Sequence, residues 1–149
     1  MKILFLNGPN LNMLGIREPD IYGRETYESL LDKIRAYADQ KGVEVRFFQS
    51  NSEGALVDAI QAAYFDALDG IVINPGAYTH TSVALLDALK ATSLPAVEIH
   101  ISDPDTREPF RAQSYVRAAC IATVKGLGTD GYLRALDALI EHCAAAREE

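Results

Sequence analysis

Short apolar runs alternate with amphipathic helical patterns along the chain, and this alternation limits the folds that the sequence can adopt. Five runs predict strands, over residues 3–6, 43–48, 70–73, 96–102 and 118–124. Helices are predicted from a Thr26 cap to Gly42, after the capping-box pattern at 50–53, over 82–90 and over 131–146. Strands that follow one another through helices form right-handed crossovers, which produce a parallel sheet covered on both faces. We therefore predict an α/β, flavodoxin-like three-layer sandwich in which a five-stranded parallel sheet has the order 2-1-3-4-5.

The 3.6-residue period of the helical patterns predicts which side chains pack together. In the first two helices these are Leu30, Leu31, Ile34, Tyr37 and Ala38, then Leu56, Ile60 and Ala63. In the short third helix, Val83, Leu86 and Leu89 share one face. These stripes supply the apolar layers of the predicted sandwich.

Composition places residues 1–149 in a single folded domain and excludes several kinds of partner. Fourteen Lys and Arg against 21 Asp and Glu give a formal net charge of −7, which disfavours nucleic acid and anionic membranes. A small anionic substrate remains compatible, because a few cations can dominate one pocket. Cys120 and Cys143 are too few for a disulfide framework, which favours a cytoplasmic protein. The apolar run at 2–6 stops at Asn7, short of a signal peptide or a membrane span.

The loops after strands one, three and four are the places where an open α/β sheet binds ligands. The first loop contains Asn10, which either contacts a ligand or bonds only loop backbone. The next segment carries Arg17 and Tyr22, and its length, proline and glycines suit a mobile lid. Composition alone favours an ordinary exposed pair for these two residues over a catalytic one. The loop after strand three begins with Asn74 and contains His80, which either faces the cleft or satisfies a nearby carbonyl.

Strand four carries polar side chains where a covered parallel strand is usually apolar on both faces. Its two-residue period puts Val97, Ile99 and Ile101 on one face, and Glu98, His100 and Ser102 on the other. A buried carboxylate needs a partner, and His100 is the nearest one for Glu98. A carboxylate that holds an imidazole stabilises its protonated form and orients it, which suits a general acid. A purely structural Glu–His pair is the alternative.

The long polar connection at 103–117 supplies cations, since Arg107 and Arg111 can join Arg17 in a positive field for an anionic substrate. The three histidines have no metal-ligand spacing, so no metal is predicted. The chain also has no Walker A lysine, and no nucleotide cofactor is predicted.

Five motifs together point to one family. They are Asn-Gly-Pro-Asn-Leu at 7–11, Arg-Glu-Pro at 17–19 with Tyr-Gly at 22–23, Ile-Asn-Pro-Gly-Ala-Tyr-Thr-His-Thr-Ser at 73–82, Glu-x-His-x-Ser at 98–102 and Arg-Glu-Pro-Phe-Arg at 107–111. On these residues the chain resembles type II 3-dehydroquinate dehydratase over nearly its whole length. The resemblance implies the same flavodoxin-like fold and an anti elimination of water from 3-dehydroquinate, without a metal or an organic cofactor.

The resemblance also implies catalytic roles. Tyr22 would remove a proton from the carbon next to the ketone, with Arg17 lowering the tyrosine pKa from its usual value of about 10. A water held by Asn10 would stabilise the enolate. His100, oriented by Glu98, would then protonate the departing hydroxyl.

Substrate contacts and assembly follow from the same resemblance. The implied contacts are Asn74, His80 and Arg111 for hydroxyl groups, and the backbone of Ile101 and Ser102 for the carboxylate. Similar enzymes assemble as homododecamers, tetramers of trimers, in which Asp87 would reach the site of a neighbouring subunit. Departures from the family pattern occur at Leu86, 103–104 and 112–113, and they bear on subunit packing and loop detail.

Four other interpretations compete with this one. A phospho-receiver needs acids after strands one and three, where Asn10 and Asn74 stand, and a flavin binder needs a Ser/Thr-rich loop unlike residues 8–11. A family member that binds without turnover is disfavoured because Tyr22, Arg17 and His100 are all present. A lysine imine, as in type I enzymes, is disfavoured because all five lysines lie outside the motifs.

Overall fold

The predicted parallel sheet is present in the computed structural model, which describes residues 1–16, 18, 20 and 24–149. Its strands are β1 (Lys2–Asn7), β2 (Glu44–Gln49), β3 (Gly70–Asn74), β4 (Ala96–His100) and β5 (Ala122–Lys125). Their spatial order is β2-β1-β3-β4-β5, and every pairing is parallel, as predicted. The winding reverses between β1 and β3, whose last residues, Asn7 and Asn74, are register partners. An open α/β sheet places its ligand at such a reversal.

Four α-helices in the described part of the chain cover the sheet. They are α1 (Tyr27–Lys41), α2 (Glu53–Phe65), α3 (Val83–Thr92) and α4 (Asp130–Glu148). Thr26 caps α1, and Gly42 ends it with a left-handed φ of 68°, as the sequence predicts. Ser82 caps α3 by accepting a hydrogen bond from the Leu85 N–H at 3.0 Å. None of the helices in the described ranges is long and apolar enough to cross a membrane.

Two apolar layers lie on opposite faces of the sheet. The first layer contains Val97, Ile99 and Ile101 of β4 and its extension, together with residues of α1 and α4. The second layer packs α2 and α3 against the alternate strand residues, and Glu98 and His100 point to that side. The predicted alternation along β4 is therefore confirmed, and it buries a carboxylate within an apolar layer.

Two boundaries predicted from sequence are wrong. Residues 116–119 form a 3-10 turn, so the last strand begins at Ala122 and not at residue 118. The turn is anchored by the fully buried Val116. Strand four also ends at His100, two residues before its predicted end. In both places apolar side chains extend the strand-like pattern beyond the residues that form the ladder of backbone hydrogen bonds.

Two predictions about helices are also wrong. Ser52, and not Ser50, caps α2, while the Ser50 hydroxyl accepts a hydrogen bond from the Ser52 N–H at 3.0 Å. The buried face of α3 consists of Leu85, Ala88, Leu89 and Thr92. Val83 is 48% exposed, because it lies on the same face as the charged Asp87 and Lys90, which are exposed as well.

Candidate active site

A pocket opens at the carboxyl ends of β1, β3 and β4, where the sheet reverses its winding. Its lining includes seven of the residues predicted from sequence, namely Asn10, Asn74, His80, His100, Ile101, Ser102 and Arg111. Arg107 lines it as well. The three loops that the sequence singled out therefore meet around one cavity.

Two glycines let the loops after β1 and β3 pack backbone against backbone. A Cβ atom on Gly8 would lie 2.5 Å from the carbonyl oxygen of Pro75. Gly76 has a φ of 58°, and a Cβ there would lie 3.0 Å from the carbonyl oxygen of Pro9. The Gly8 N–H donates to the Asn74 carbonyl at 2.7 Å, which fixes the approach. These two loops form one rigid wall of the pocket.

The buried carboxylate of Glu98 is bound on both of its oxygens. Oε1 accepts hydrogen bonds from His100 Nε2 at 2.9 Å, from Ser114 Oγ at 2.6 Å and from the Thr79 hydroxyl. Thr79 and Ser114 also contact each other at 2.6 Å between hydroxyl oxygens. The partner that the sequence predicted, His100, is one member of a larger cluster of donors.

The second oxygen of Glu98 faces a different set of groups. Oε2 accepts from Arg117 Nε at 3.0 Å and from Thr123 Oγ1 at 3.2 Å. Arg117 comes from the connection before β5, and Thr123 lies on β5 opposite Glu98 in the register. The carboxylate is thus held from two sides, with the imidazole on one side and the guanidinium on the other.

These bonds determine the ionisation of Glu98 and the geometry of His100. Burial raises the pKa of Glu98, but hydrogen bonds from His100, Ser114 and Thr79 outweigh it and hold the pKa far below its ordinary value. Ionised Glu98 can only accept, so His100 Nε2 is the donor. Nδ1 is then the ring nitrogen that can exchange a proton with a molecule in the pocket. This geometry is that of a general acid or base oriented by a carboxylate.

Asn74 is fixed from inside the core. Its Nδ2 donates to the hydroxyl of the fully buried Tyr132 at 2.9 Å, and its Oδ1 accepts from the Gly76 N–H at 3.1 Å. The Tyr132 hydroxyl in turn donates to Asn7 Oδ1 at 2.7 Å. Burial raises the pKa of Tyr132, so the hydroxyl stays protonated and can donate. The chain Asn7–Tyr132–Asn74 thus ties the ends of β1 and β3 to α4.

His80 combines the two interpretations that the sequence left open. Its Nδ1 lies 2.6 Å from the carbonyl oxygen of Gln113 and therefore donates to it. The residue also lines the pocket, and Nε2 is the nitrogen left to contact a ligand. The bond to Gln113 fastens the turn after β3 to the connection that carries the pocket arginines.

Arg107 and Arg111 bring positive charge to the pocket of an acidic chain. Arg111 Nε contacts Glu108 Oε2 at 2.5 Å, and its side chain is 20% exposed. A guanidinium held in this way presents its remaining N–H groups in a fixed direction, which suits hydroxyl or carboxylate groups of a ligand.

A glycine-rich run at 126–131 has the G-x-G-x-x-G spacing typical of nucleotide-binding loops. The sequence prediction overlooked this match and was wrong to take the motif as absent. Here it joins the last strand to α4. The Gly126 N–H donates to the Ser102 carbonyl at 3.2 Å, and the Gly128 N–H donates to the Ile101 carbonyl at 3.0 Å. Both amides that could cradle a phosphate are thus used to hold the backbone after β4.

Two of the described site residues, Asp87 and Glu98, do not line the pocket. Arg17 and Tyr22 fall outside the described residues. Asp87 is exposed on α3 and is not among the described lining residues of this chain's own pocket, so its role toward a neighbouring subunit stays a prediction. Glu98 lies beneath the pocket, behind His100.

The sequence analysis missed the residues that support the site from behind. Thr79, Ser114, Arg117 and Thr123 all bind Glu98. A usable signal existed, because an ionised carboxylate inside a covered strand needs several donors, and the long polar connection is the nearest source. Tyr132 gave a weaker signal, as a polar aromatic within the apolar stripe of α4.

Comparisons with known proteins give one consistent family. The model of the family described as dehydroquinase class II matches residues 1–140. A protein named 3-dehydroquinate dehydratase from Clostridium perfringens is 49% identical over 142 residues, which cover 95% of this chain and 97% of that protein. A protein of the same name from Carboxydothermus hydrogenoformans is 52% identical over 142 residues, 95% of this chain and 92% of that protein.

Solved structures agree. The crystal structure of a type II dehydroquinase from Butyrivibrio crossotus superposes with a TM-score of 0.92 at 53% identity, covering 93% of this chain and 97% of that one. That of Propionibacterium acnes gives a TM-score of 0.89 at 42% identity, with 93% and 94% covered. The family model spans most of the chain, and relatives about 50% identical cover nearly all of it. The chain belongs to the class II dehydroquinase family.

Proposed function

We propose that this protein is a 3-dehydroquinate dehydratase, a hydro-lyase that converts 3-dehydroquinate to 3-dehydroshikimate by anti elimination of water. Its family and its named relatives support the activity. The observation that carries the chemistry is the His100–Glu98 pair, 2.9 Å apart, at a pocket lined by arginine, histidine and asparagine. The same step serves the shikimate route to aromatic amino acids and the breakdown of quinate.

His100 supplies the proton that the departing hydroxyl needs. Because Nε2 donates to the ionised Glu98, the proton leaves from Nδ1. As the carbon–oxygen bond breaks, the hydroxyl takes this proton and leaves as water. Glu98 stabilises the imidazolium before the transfer and keeps the ring oriented after it.

Tyr22 removes the proton from the carbon next to the ketone, and Arg17 stabilises the phenolate. Both assignments rest on the family resemblance. Asn10 lines the pocket and has a left-handed φ of 70°, which asparagine tolerates well. It holds the water that stabilises the enolate. Between turnovers, the proton accepted by Tyr22 returns to His100 through solvent, so the net reaction loses one water.

Substrate hydroxyl groups are bound by Asn74, His80 and Arg111 in this proposal, and the substrate carboxylate is bound by the backbone at 101–102. The carbonyls of that segment accept hydrogen bonds from Gly128 and Gly126, which supports a fixed backbone orientation there. The pocket arginines add the positive charge that an anionic substrate requires.

The alternative of a lysine imine finds no support among the pocket residues. All five lysines are described, and none of them lines the pocket. Lys125, on β5, forms ion pairs with Asp105 and, at 3.7 Å, with Asp103. We therefore propose an elimination in which no covalent bond forms between enzyme and substrate.

The test is to mix purified protein with 3-dehydroquinate and follow the ultraviolet absorbance of the conjugated enone product, with and without borohydride. We expect product to form, and we expect the activity to survive borohydride, which would trap an imine. Tyr22→Phe should abolish turnover while product binding persists. Tyr64→Phe, on the exposed part of α2, should leave turnover unchanged. Binding without turnover in the wild-type protein would favour a non-catalytic family member.

We also infer that the enzyme is a cytoplasmic homododecamer, a tetramer of trimers, as the family resemblance implies. Exposed aromatic side chains near the edge strand β2 support assembly, since Phe48, Tyr64 and Phe65 are 39%, 54% and 79% exposed. The free thiols of Cys120 and Cys143 support a reducing compartment. Light scattering should give about 196 kDa for twelve chains of 16.3 kDa. A particle of one or two chains would contradict the assembly.

A further inference from the structure

Arg117 is the cation that contacts the buried carboxylate behind the general acid. Its Nε lies 3.0 Å from Glu98 Oε2, and among the described lysines and arginines it is the only one within ion-pair distance of Glu98. The Glu98 side chain is fully buried, whereas that of Arg117 is 36% exposed. Arg117 is absent from the described pocket lining, so a direct contact with substrate does not account for it.

Arg117 acts on the carboxylate oxygen that His100 does not use. His100, Ser114 and Thr79 bind Oε1, while Arg117 and Thr123 bind Oε2. A rotation of the carboxylate would break both sets of bonds at once. The direction in which Oε1 faces the imidazole therefore depends on the group that holds Oε2.

Arg117 also determines how much negative charge the imidazole experiences. An ionised carboxylate without a counterion favours imidazolium and makes it a weaker proton donor. A guanidinium on the far oxygen offsets part of this charge. Because the guanidinium is partly exposed to solvent, its effect on His100 should be modest.

Other charged groups around the pair do not take over this role. Burial raises the pKa of Cys120 to about 12, so this thiol is neutral. Asp105 and Lys125 are paired with each other, and the hydrogen bond from Lys125 holds the pKa of Asp105 below its usual range. His80, Arg107 and Arg111 line the pocket with His100, and a substitution at Arg117 leaves them in place.

We propose that Arg117 is a positioning residue for the proton transfer: by holding Oε2 of Glu98, it orients the carboxylate and limits the negative charge that His100 experiences. This inference rests on the proposed dehydratase function and adds to it a residue outside the pocket lining. It makes the strength of the general acid depend on the connection before β5.

The experiment compares Arg117→Gln and Arg117→Lys with Arg35→Gln, which removes an exposed arginine paired with Asp32 at 3.1 Å on α1. The titration of His100 is followed by NMR on protein with labelled histidine, and kcat and KM are measured alongside. We expect Arg117→Gln to raise the midpoint of the His100 titration, because the carboxylate beside the imidazole loses its counterion. We expect kcat to fall about fivefold with little change in KM, because a weaker acid slows the step without changing binding.

Arg117→Lys keeps the charge and should return the midpoint toward the wild-type value, and Arg35→Gln should change neither quantity. A midpoint that stays at the wild-type value or falls in Arg117→Gln would overturn the proposal. If that variant does not fold, Arg117→Ala takes its place in both measurements, and a midpoint and a kcat equal to wild type in Arg117→Ala would overturn the proposal. The NMR titration needs no turnover, so a protein without dehydratase activity would refute the proposed function and still test Arg117.

Discussion

The hydroxyl of Tyr132 lies 2.9 Å from Nδ2 of Asn74, so a fully buried residue of α4 holds the side chain of a pocket residue. The same hydroxyl donates to Asn7 at 2.7 Å. One phenol therefore satisfies two amides at the ends of two neighbouring strands, where the ligand site of the fold is located.

Tyr132→Phe should destabilise the protein and weaken substrate binding. The change leaves Asn7 Oδ1 and Asn74 Nδ2 without their partner inside the core, which costs about 1–3 kcal/mol. Urea unfolding at fixed protein concentration measures this loss, and KM should rise because Asn74 is less well oriented. The matched control is Tyr37→Phe, whose hydroxyl bonds Asp137 at 2.7 Å in a partly buried position. Equal losses of stability in the two variants would contradict a special role for the buried hydroxyl.

Glu98 makes stability depend on acid pH. Its pKa in the folded protein lies far below the ordinary 4.5, so the carboxylate contributes stability above that value. The contribution is lost progressively as the pH falls below about 4.5 toward the depressed pKa of the folded state. In Glu98→Gln, which keeps the shape and removes the charge, the free energy of unfolding should fall less steeply with acidification. Parallel curves for the two proteins, from urea titrations over a pH series, would show that Glu98 is not the group responsible.

Gly8→Ala should disrupt the pocket wall. The added methyl group would lie 2.5 Å from the Pro75 carbonyl oxygen, and that oxygen belongs to backbone, which cannot move aside alone. We expect a loss of more than about 2 kcal/mol in the free energy of unfolding, together with reduced kcat. Gly54→Ala is the control, because no atom lies within 4 Å of its Cβ and alanine favours a helix by about 0.5–1 kcal/mol over glycine. A tolerated Gly8→Ala would mean that the two loops are not in close contact.

The sheet could be predicted from sequence because each strand is a separate apolar run between turn residues. The order of the strands followed from the rule for consecutive parallel strands, and Thr26 and Gly42 marked both ends of α1. The predictions failed where local pattern carries no information. In α3 apolar residues occur on the exposed face as well as on the buried one, and before β5 residues 118–121, which are Ala, Ala, Cys and Ile, fit a strand as well as a turn.

The residues that line the pocket could be predicted better than the residues that hold them in place. Asn10, Asn74, His80 and His100 follow strand ends, and the fold brings strand ends together. Arg117 lies 19 residues from Glu98 in sequence, and Tyr132 lies 58 residues from Asn74. Contacts at such separations depend on how the helices and connections pack on the sheet, and no short motif encodes them.

The central claim is that His100, held by Glu98, gives its Nδ1 proton to the departing hydroxyl. The most direct measurement compares His100→Gln with wild type on 3-dehydroquinate and on an analogue that carries fluoride at the departing position. We predict that kcat on 3-dehydroquinate falls about a hundred- to ten-thousandfold, that product affinity is nearly unchanged, and that the loss on the fluoride analogue is far smaller, because fluoride leaves with little help from an acid. Equal losses on both substrates, or a loss of affinity with kcat retained, would contradict the assignment of His100 as the acid.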